Sequence, residues 1–348
     1  FYGKPGELKP LIEHFEKHHL RLVPSRIRHL GTERCQTVLR RMRSALEESV
    51  HILFNRPVQR IVVEKGVACG VVDGMGEEYR ADYVVLAPGR DGAEWLAGET
   101  GRLGIATAHH PVDLGVRVEI PSSVTASLAA MLYEAKVRFN SPTFDDPVRT
   151  FCMCPEGEVV MENSGGVTLV NGQSYARRKT GRTNFAVLVS TDFTEPFHEP
   201  IAYGKYIARL ANLLSGGVIV QRLGDLKAGR RSTARRIARG VITPSLSSAT
   251  EGDLSFVLPY RLLTGILEMM EALGRAVPGV GSSETLLYGI EAKFYSLSLK
   301  LGRGLEAQVE NLFVVGDGAG VSRGLVQASA SGLVAAREIA GREKGEPR

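Results

Sequence analysis

Cysteine is scarce in this chain, with four in 348 residues at positions 35, 69, 152 and 154. They are too few and too irregular for a disulfide framework, and no CxxC pair or Cys/His set has zinc spacing, so no metal site is expected. Long apolar runs are missing too. Residues 83–88 and 311–315 are strand-sized and far short of the roughly 20 residues that cross a bilayer, so no membrane span is expected. Charge of one sign is in small excess, +5 in all, with neither a basic face nor a module with stacking aromatics, and no nucleic acid partner is expected. The densest basic run holds Arg230, Arg231, Arg235, Arg236 and Arg239. It reads as a solvated helix face, or as a pocket for an anionic small-molecule substrate. The opening Phe1-Tyr2-Gly3-Lys4 has no initiator methionine and no signal-peptide layout. It reads as a piece whose true start is missing, with a reducing, cytoplasmic location as the default.

What is present is ordinary globular composition, 43% hydrophobic and 23% charged, at a length that favours two domains. Thr32 precedes Val38, Leu39, Met42, Ala45, Leu46 and Val50 on one face, which predicts a capped amphipathic helix over 33–49 that packs on a sheet. Segments 51–54, 58–64, 67–73 and 83–87 are β-rich and separated by Lys65-Gly66 and Gly74-Met75-Gly76 turns. They predict a meander ending in a buried strand. Past His109-His110-Pro111 the strands lengthen and the loops become rich in glycine and serine, with helices expected near 122–133, 203–214 and 261–275. This is a different domain. Near Gly289 the first pattern returns, with a strand over 311–315, a glycine turn, an apolar helix over 325–340 and a charged tail that reads as frayed.

The most informative stretch is NLFVVGDGAGVSRGLVQASASG, residues 311–332. An apolar strand runs into Gly316-Asp317-Gly318 and, past Gly324, into a helix. Gly316 and Gly318 let the backbone approach a ligand where a Cβ would collide, and Asp317 is suited to accept a hydrogen bond from a ribityl hydroxyl. A helix starting at Gly324 to Gln327 points unpaired amides and the positive end of its dipole at whatever lies there, which suits the electron-rich edge of a reduced flavin. The same pattern also fits a strand-turn-helix crossover with an anion site for another ligand. Residues 81–92, ADYVVLAPGRDG, form a second strand ending in a small-residue turn at Ala87, Pro88 and Gly89.

The order of these pieces, helix, meander, LAPGRDG, long insertion and NLFVVGDGAG with its helix, resembles the FAD/NAD(P)-binding flavoproteins of the glutathione-reductase type. Within them, HLGTERCQTVLRRMR, RTFCMCPEGEVV, VNGQSYARR and GDGAG with GLVQASASG are similar to a group of FAD-dependent dehydrogenases, over roughly residues 20–340. The resemblance implies an α/β fold. An incomplete FAD/NAD(P)-binding Rossmann-like domain would be formed by residues 1–110 and 288–348, with an inserted mixed α+β substrate domain at 111–287. It implies FAD as cofactor, NADH or NADPH as a candidate reductant, and hydride transfer between an organic substrate and the flavin. The alternative is a flavin-fold electron carrier or a non-catalytic binding protein.

Residue by residue, the resemblance puts Gly316, Asp317 and Gly318 at the ribityl and pyrophosphate, and Gly324, Leu325, Val326 and Gln327 at the flavin ring. Ala87, Pro88 and Gly89 would flank the ADP half, and the backbone of Val58 would meet the adenine. The opening strand, the GxGxxG turn and the ribose-binding acidic residue of that family are missing here, so the chain by itself is expected to hold FAD poorly. No residue announces itself as a general acid or base. Cys152 and Cys154 read either as a redox pair or as two small hydrophobes on one strand face. Glu291 and Lys293 read as a segment beside the flavin or as an exposed strand, and His109 and His110 as linker or catalytic histidines.

Overall fold

The computed structural model describes residues 5–25, 30–108, 111–193, 197, 199–294, 298–322 and 324–345. Two units divide the chain. One comprises Phe1–Leu46, Val112–Phe193 and Ile201–Phe294, the other Glu47–Pro111, Thr194–Pro200 and Tyr295–Arg348. The alternation in Val112–Pro121 explains the first unit. Val112, Leu114, Val116, Val118 and Ile120 face a large apolar core, while Asp113, Arg117 and Glu119, also buried, face the other way, as the two-residue period of a strand requires.

This strand lies inside an eight-stranded mixed sheet. In order across it come Arg21–Val23, Lys136–Asn140, Pro147–Pro155, Arg182–Thr191, Val112–Pro121, Leu286–Lys293, Ile219–Arg222 and Thr250–Glu251. The last pair is parallel and the others antiparallel. Helix Tyr260–Ala276 buries Leu262, Ile266, Met269, Met270 and Leu273 in the apolar core. Their three- and four-residue spacing makes one helical face, and each such side chain contributes about 1.5–3 kcal/mol on burial. The hairpin Glu158–Ser164 and Val167–Gln173 supplies Val159 and Val170 to a second cluster with Val220 and Tyr288.

The helices expected near 203–214 and 261–275 are Pro200–Ser215 and Tyr260–Ala276. The one near 122–133 divides into a 3-10 turn, Ser122–Thr125, and a short helix, Ala126–Met131. Strand Leu286–Lys293 is buried along its whole length, so the first unit runs on to Phe294, beyond the return read near Gly289.

The second unit begins with the three-stranded meander Val58–Glu64, Val67–Asp73 and Glu78–Arg80. Val84–Leu86 then pairs in parallel with Leu312–Val314, and helices Ala93–Arg102 and Leu325–Glu343 complete it. Leu312 and Val314 join Ile61, Val84, Leu86, Leu96 and Ala319 in one cluster, whereas Phe313 and Val315 join Ala335 in another. The strand is thus buried on both faces, as parallel strands usually are.

Two expectations are corrected. Residues 51–54 form no strand, and Leu53 and Phe54 are exposed. The meander starts only after Pro57, which has no amide to give a ladder. The amphipathic helix spans Thr32–Leu46, so Thr32 is its first helical residue rather than its cap. Its apolar residues Val38, Leu39, Met42 and Leu46 are exposed instead of packed on a sheet. Periodicity identifies a face, not what covers it. No described helix is long and apolar enough to cross a membrane.

Candidate functional site

Val84–Leu86 and Leu312–Val314 run side by side in register, Leu86 opposite Val314, and the amide of Val315 still bonds the carbonyl of Leu86 at 2.9 Å. The turns that follow therefore leave the same end of two adjacent parallel strands. In α/β sheets that carboxyl end is where ligands bind. Gly318 brings the turns into contact, since a Cβ there would stand 1.9 Å from the carbonyl oxygen of Gly89. No side chain fits. Gly316 has φ 82°, and its amide donates to the Ser331 hydroxyl at 3.0 Å, fastening the turn to the following helix.

Asp317 organises the rest. Its Oδ1 accepts from the Ser322 hydroxyl at 2.5 Å and the Gly324 amide at 3.2 Å, and its Oδ2 from Arg90 at 3.2 Å. Arg90 follows directly on Ala87-Pro88-Gly89, so one carboxylate joins both turns and the helix start. Sequence reasoning missed Arg90, Ser322 and Ser331, whose importance rests on these contacts. Helix Leu325–Glu343 makes its first backbone bond from Ala328 to Gly324 at 2.9 Å, so the amides of Leu325, Val326 and Gln327 precede the ladder. Leu325 and Val326 are 78% and 77% exposed, an apolar step beside a polar turn. Val58 belongs to a separate sheet, opposite Asp73. Its strand is tied to helix Ala93–Arg102 by the Ile61 amide on Glu99 at 2.7 Å and Trp95 Nε1 on the Gln59 carbonyl at 3.0 Å.

Residues 111–294, just over half of the chain, match the family described as FAD-dependent protein, C-terminal domain-like. The chain belongs to this family. An uncharacterized protein of Clostridium beijerinckii is 27% identical over 339 residues, which covers 89% of this chain and 61% of that relative. The chain thus spans less than two thirds of its length. Among solved structures, an oxidoreductase from Methanosarcina mazei shares 14% identity over 87% of this chain and 54% of its own, with TM-score 0.33. GidA of Aquifex aeolicus shares 13% over 98% and 55%, with TM-score 0.34. Overlap that loose says nothing of this chain's chemistry.

The segment that carries the match to FAD-dependent proteins holds a buried charged cluster around Arg117. Its Nε donates to Asn184 Oδ1 at 2.8 Å, its Nη1 to the two Glu291 oxygens at 3.2 and 3.3 Å, and its Nη2 to the Cys152 carbonyl at 2.6 Å. Burial pushes the guanidinium pKa down, but Glu291 and the neighbouring cysteines outweigh it, and the net shift is upward. Lys293 Nζ lies 3.2 Å from Glu291. Both strand residues are buried, which overturns the exposed-strand reading of Glu291 and Lys293. Glu119, on the same face as Arg117, accepts from the Tyr288 hydroxyl at 2.5 Å, and burial pushes its carboxyl up. A signal was there to be read, because Asp113, Arg117 and Glu119 share the two-residue phase of an otherwise apolar strand.

Cys154 is buried and Cys152 only partly so, so the reading of both as small core hydrophobes is corrected as well. In the basic run, Arg230, Arg231, Arg235 and Arg239 are exposed. Buried Asp225 takes Arg230 at 2.9 Å and Arg236 at 3.8 Å. Burial pushes the Asp225 carboxyl up, yet Arg230 and Ser232 outweigh it and hold the pKa below the usual range. His109 and His110 lie outside the described residues.

Proposed function

We propose that this chain is the larger part of an FAD-dependent oxidoreductase acting on a small organic substrate. The observation that carries the reading is the pair of glycine turns at the carboxyl ends of adjacent parallel strands, locked together by Asp317. The residues present fit the ribityl and ring portion of FAD, because the backbone is bare where Gly318 meets Gly89 and the helix start offers amides beside exposed apolar surface. Gly316, Asp317 and Gly318 would hold the ribityl and pyrophosphate, and the amides at Gly324 to Gln327 the ring edge. Ala87, Pro88 and Gly89 would flank the ADP half, and the Val58 backbone the adenine. The bound flavin supplies hydride acceptance and donation, with NADH or NADPH as the reductant tested first. The chain's own contribution is orientation. Asp317 fixes the turn, the helix dipole favours negative charge at its N-terminus, and the exposed Leu325 and Val326 cover a flat apolar ring.

The test is flavin retention by the purified full-length protein. Asp317→Ala removes the acceptor shared by Arg90, Ser322 and Gly324, bonds worth about 1.5–3 kcal/mol each when one partner is charged. Flavin affinity is expected to fall about tenfold or more, read as flavin absorbance per chain after dialysis. Equal absorbance in mutant and wild type would remove Asp317 from the site. Anaerobic addition of NADH or NADPH then asks whether the bound flavin is bleached.

A further inference from the structure

In a regular strand residues two apart share a face, but the rise of about 3.3 Å per residue sets their Cα atoms about 6.6 Å apart, at the long end of what a disulfide spans. Strand Pro147–Pro155 is not regular. Against Arg182–Thr191 its register passes from Phe151 opposite Ala186 to Cys154 opposite Asn184, so three steps on one strand match two on the other. The extra residue is a β-bulge. Cys152 takes it up at φ 47°, a left-handed conformation that a non-glycine residue adopts at a cost and that gathers at functional sites. The sulfurs of Cys152 and Cys154 consequently stand 3.9 Å apart.

We propose that Cys152 and Cys154 are a redox-active dithiol, which a small-molecule disulfide oxidises to an intramolecular disulfide, Cys152 attacking and Cys154 resolving. Arg117 is fully buried beside them, with Nη2 on the Cys152 carbonyl at 2.6 Å and 3.5 Å from Cys154 Sγ. Arg117 and Lys293 both meet Glu291, and a fixed neighbouring cation such as the Arg117 guanidinium is what favours the thiolate form. The hydrogen bond with Cys152, followed by burial, pushes the Cys154 thiol up, against the pull of Arg117. Cys152 is partly exposed and Cys154 buried, which gives the outer thiol first access to a reagent.

In the first step the Cys152 thiolate attacks one sulfur of RSSR, forming a mixed disulfide, which removes its hydrogen bond with Cys154, and expelling RS⁻, which solvent protonates. In the second, Cys154 gives its proton to solvent, and its thiolate attacks Cys152 Sγ and expels the other RS⁻, which solvent protonates. Two electrons pass from the protein thiols to RSSR, leaving one protein disulfide and two small thiols. The sulfurs must close from 3.9 Å to about 2.05 Å, so the bulge has to flex.

The experiment equilibrates the full chain, with Cys35→Ser and Cys69→Ser to leave only this pair, against oxidised glutathione, and reads intact mass and alkylatable thiols. The expected result is loss of two thiols and two hydrogens per chain, without a glutathione adduct and reversed by dithiothreitol. Adding Cys154→Ser should stop the reaction at one glutathione per chain on Cys152. Peptide mapping of the unsubstituted chain over residues 147–178 reads the same bond should either background fail to fold. The proposal is overturned if both thiols stay alkylatable at every glutathione ratio, or if glutathione remains on Cys152 while Cys154 is intact.

Discussion

Arg117 and Glu291 show their worth only when separated. Both side chains have no exposure at all, so the pair's attraction is largely offset by the cost of taking two charges from water. Removing one partner leaves that cost without the return. Glu291→Gln is therefore expected to lose about 3–5 kcal/mol of stability, read from the urea midpoint of the unit's unfolding. A loss below about 1 kcal/mol, the scale of an exposed pair, would mean that Arg117 finds water or another carboxylate. The sequence showed the charges but not the pairing, since Arg117 and Glu291 are 174 residues apart and meet only through the sheet order.

Among elements, helix Leu325–Glu343 is anchored at both ends. Ser331 holds Gly316 near its start. Near its end Arg342 grips both oxygens of Glu306, at 2.8 and 2.6 Å, with its guanidinium 5.1 Å from the centre of the Phe313 ring. A lysine cannot reproduce two parallel bonds and a stacked plane. Arg342→Lys is expected to cost about 1.5–3 kcal/mol and to speed hydrogen exchange in the last turns of this helix. Unchanged exchange there would show that the anchor is dispensable. This helix and its turn were legible because an apolar strand, two glycines and an apolar helix follow in one short stretch. Arg90 was not, since its bond to Asp317 crosses 227 residues. The helix Thr32–Leu46 was legible as an element and not as a contact, because Val38, Leu39 and Met42 announce a face without naming what it meets.

In the molecule as a whole, the two units differ in how much they bury. The first has an apolar core spread over both long central strands, Val112–Pro121 and Arg182–Thr191, whereas the second has a meander, a pair of three-residue parallel strands and a smaller cluster. Opening free energy follows burial and backbone bonding. Amides of Val112–Pro121 are therefore expected to exchange last, and those of Val84–Leu86 well before them, by native-state hydrogen exchange. Equal protection in the two strands would contradict this order. The mixed sheet itself was only partly legible. The lengthening of strands past residue 111 and the helices near 203–214 and 261–275 emerged from the sequence, while the placing of Leu286–Lys293 beside Val112–Pro121 depends on a pairing that no local pattern encodes.

The parallel pairing of Val84–Leu86 with Leu312–Val314 also sets a timetable. A ribosome adding about 5–20 residues per second needs roughly 10–45 seconds to cover the 227 residues from Arg90 to Asp317. For most of that interval the earlier strand has been made while its ladder partner has not been translated. Every strand of the eight-stranded sheet precedes Leu312–Val314 in the chain, so the larger unit's strands are all made before the smaller unit's turn pair can form. The turn pair is completed only once Gly318 has been made, and a nascent chain halted before that residue has no means of assembling it.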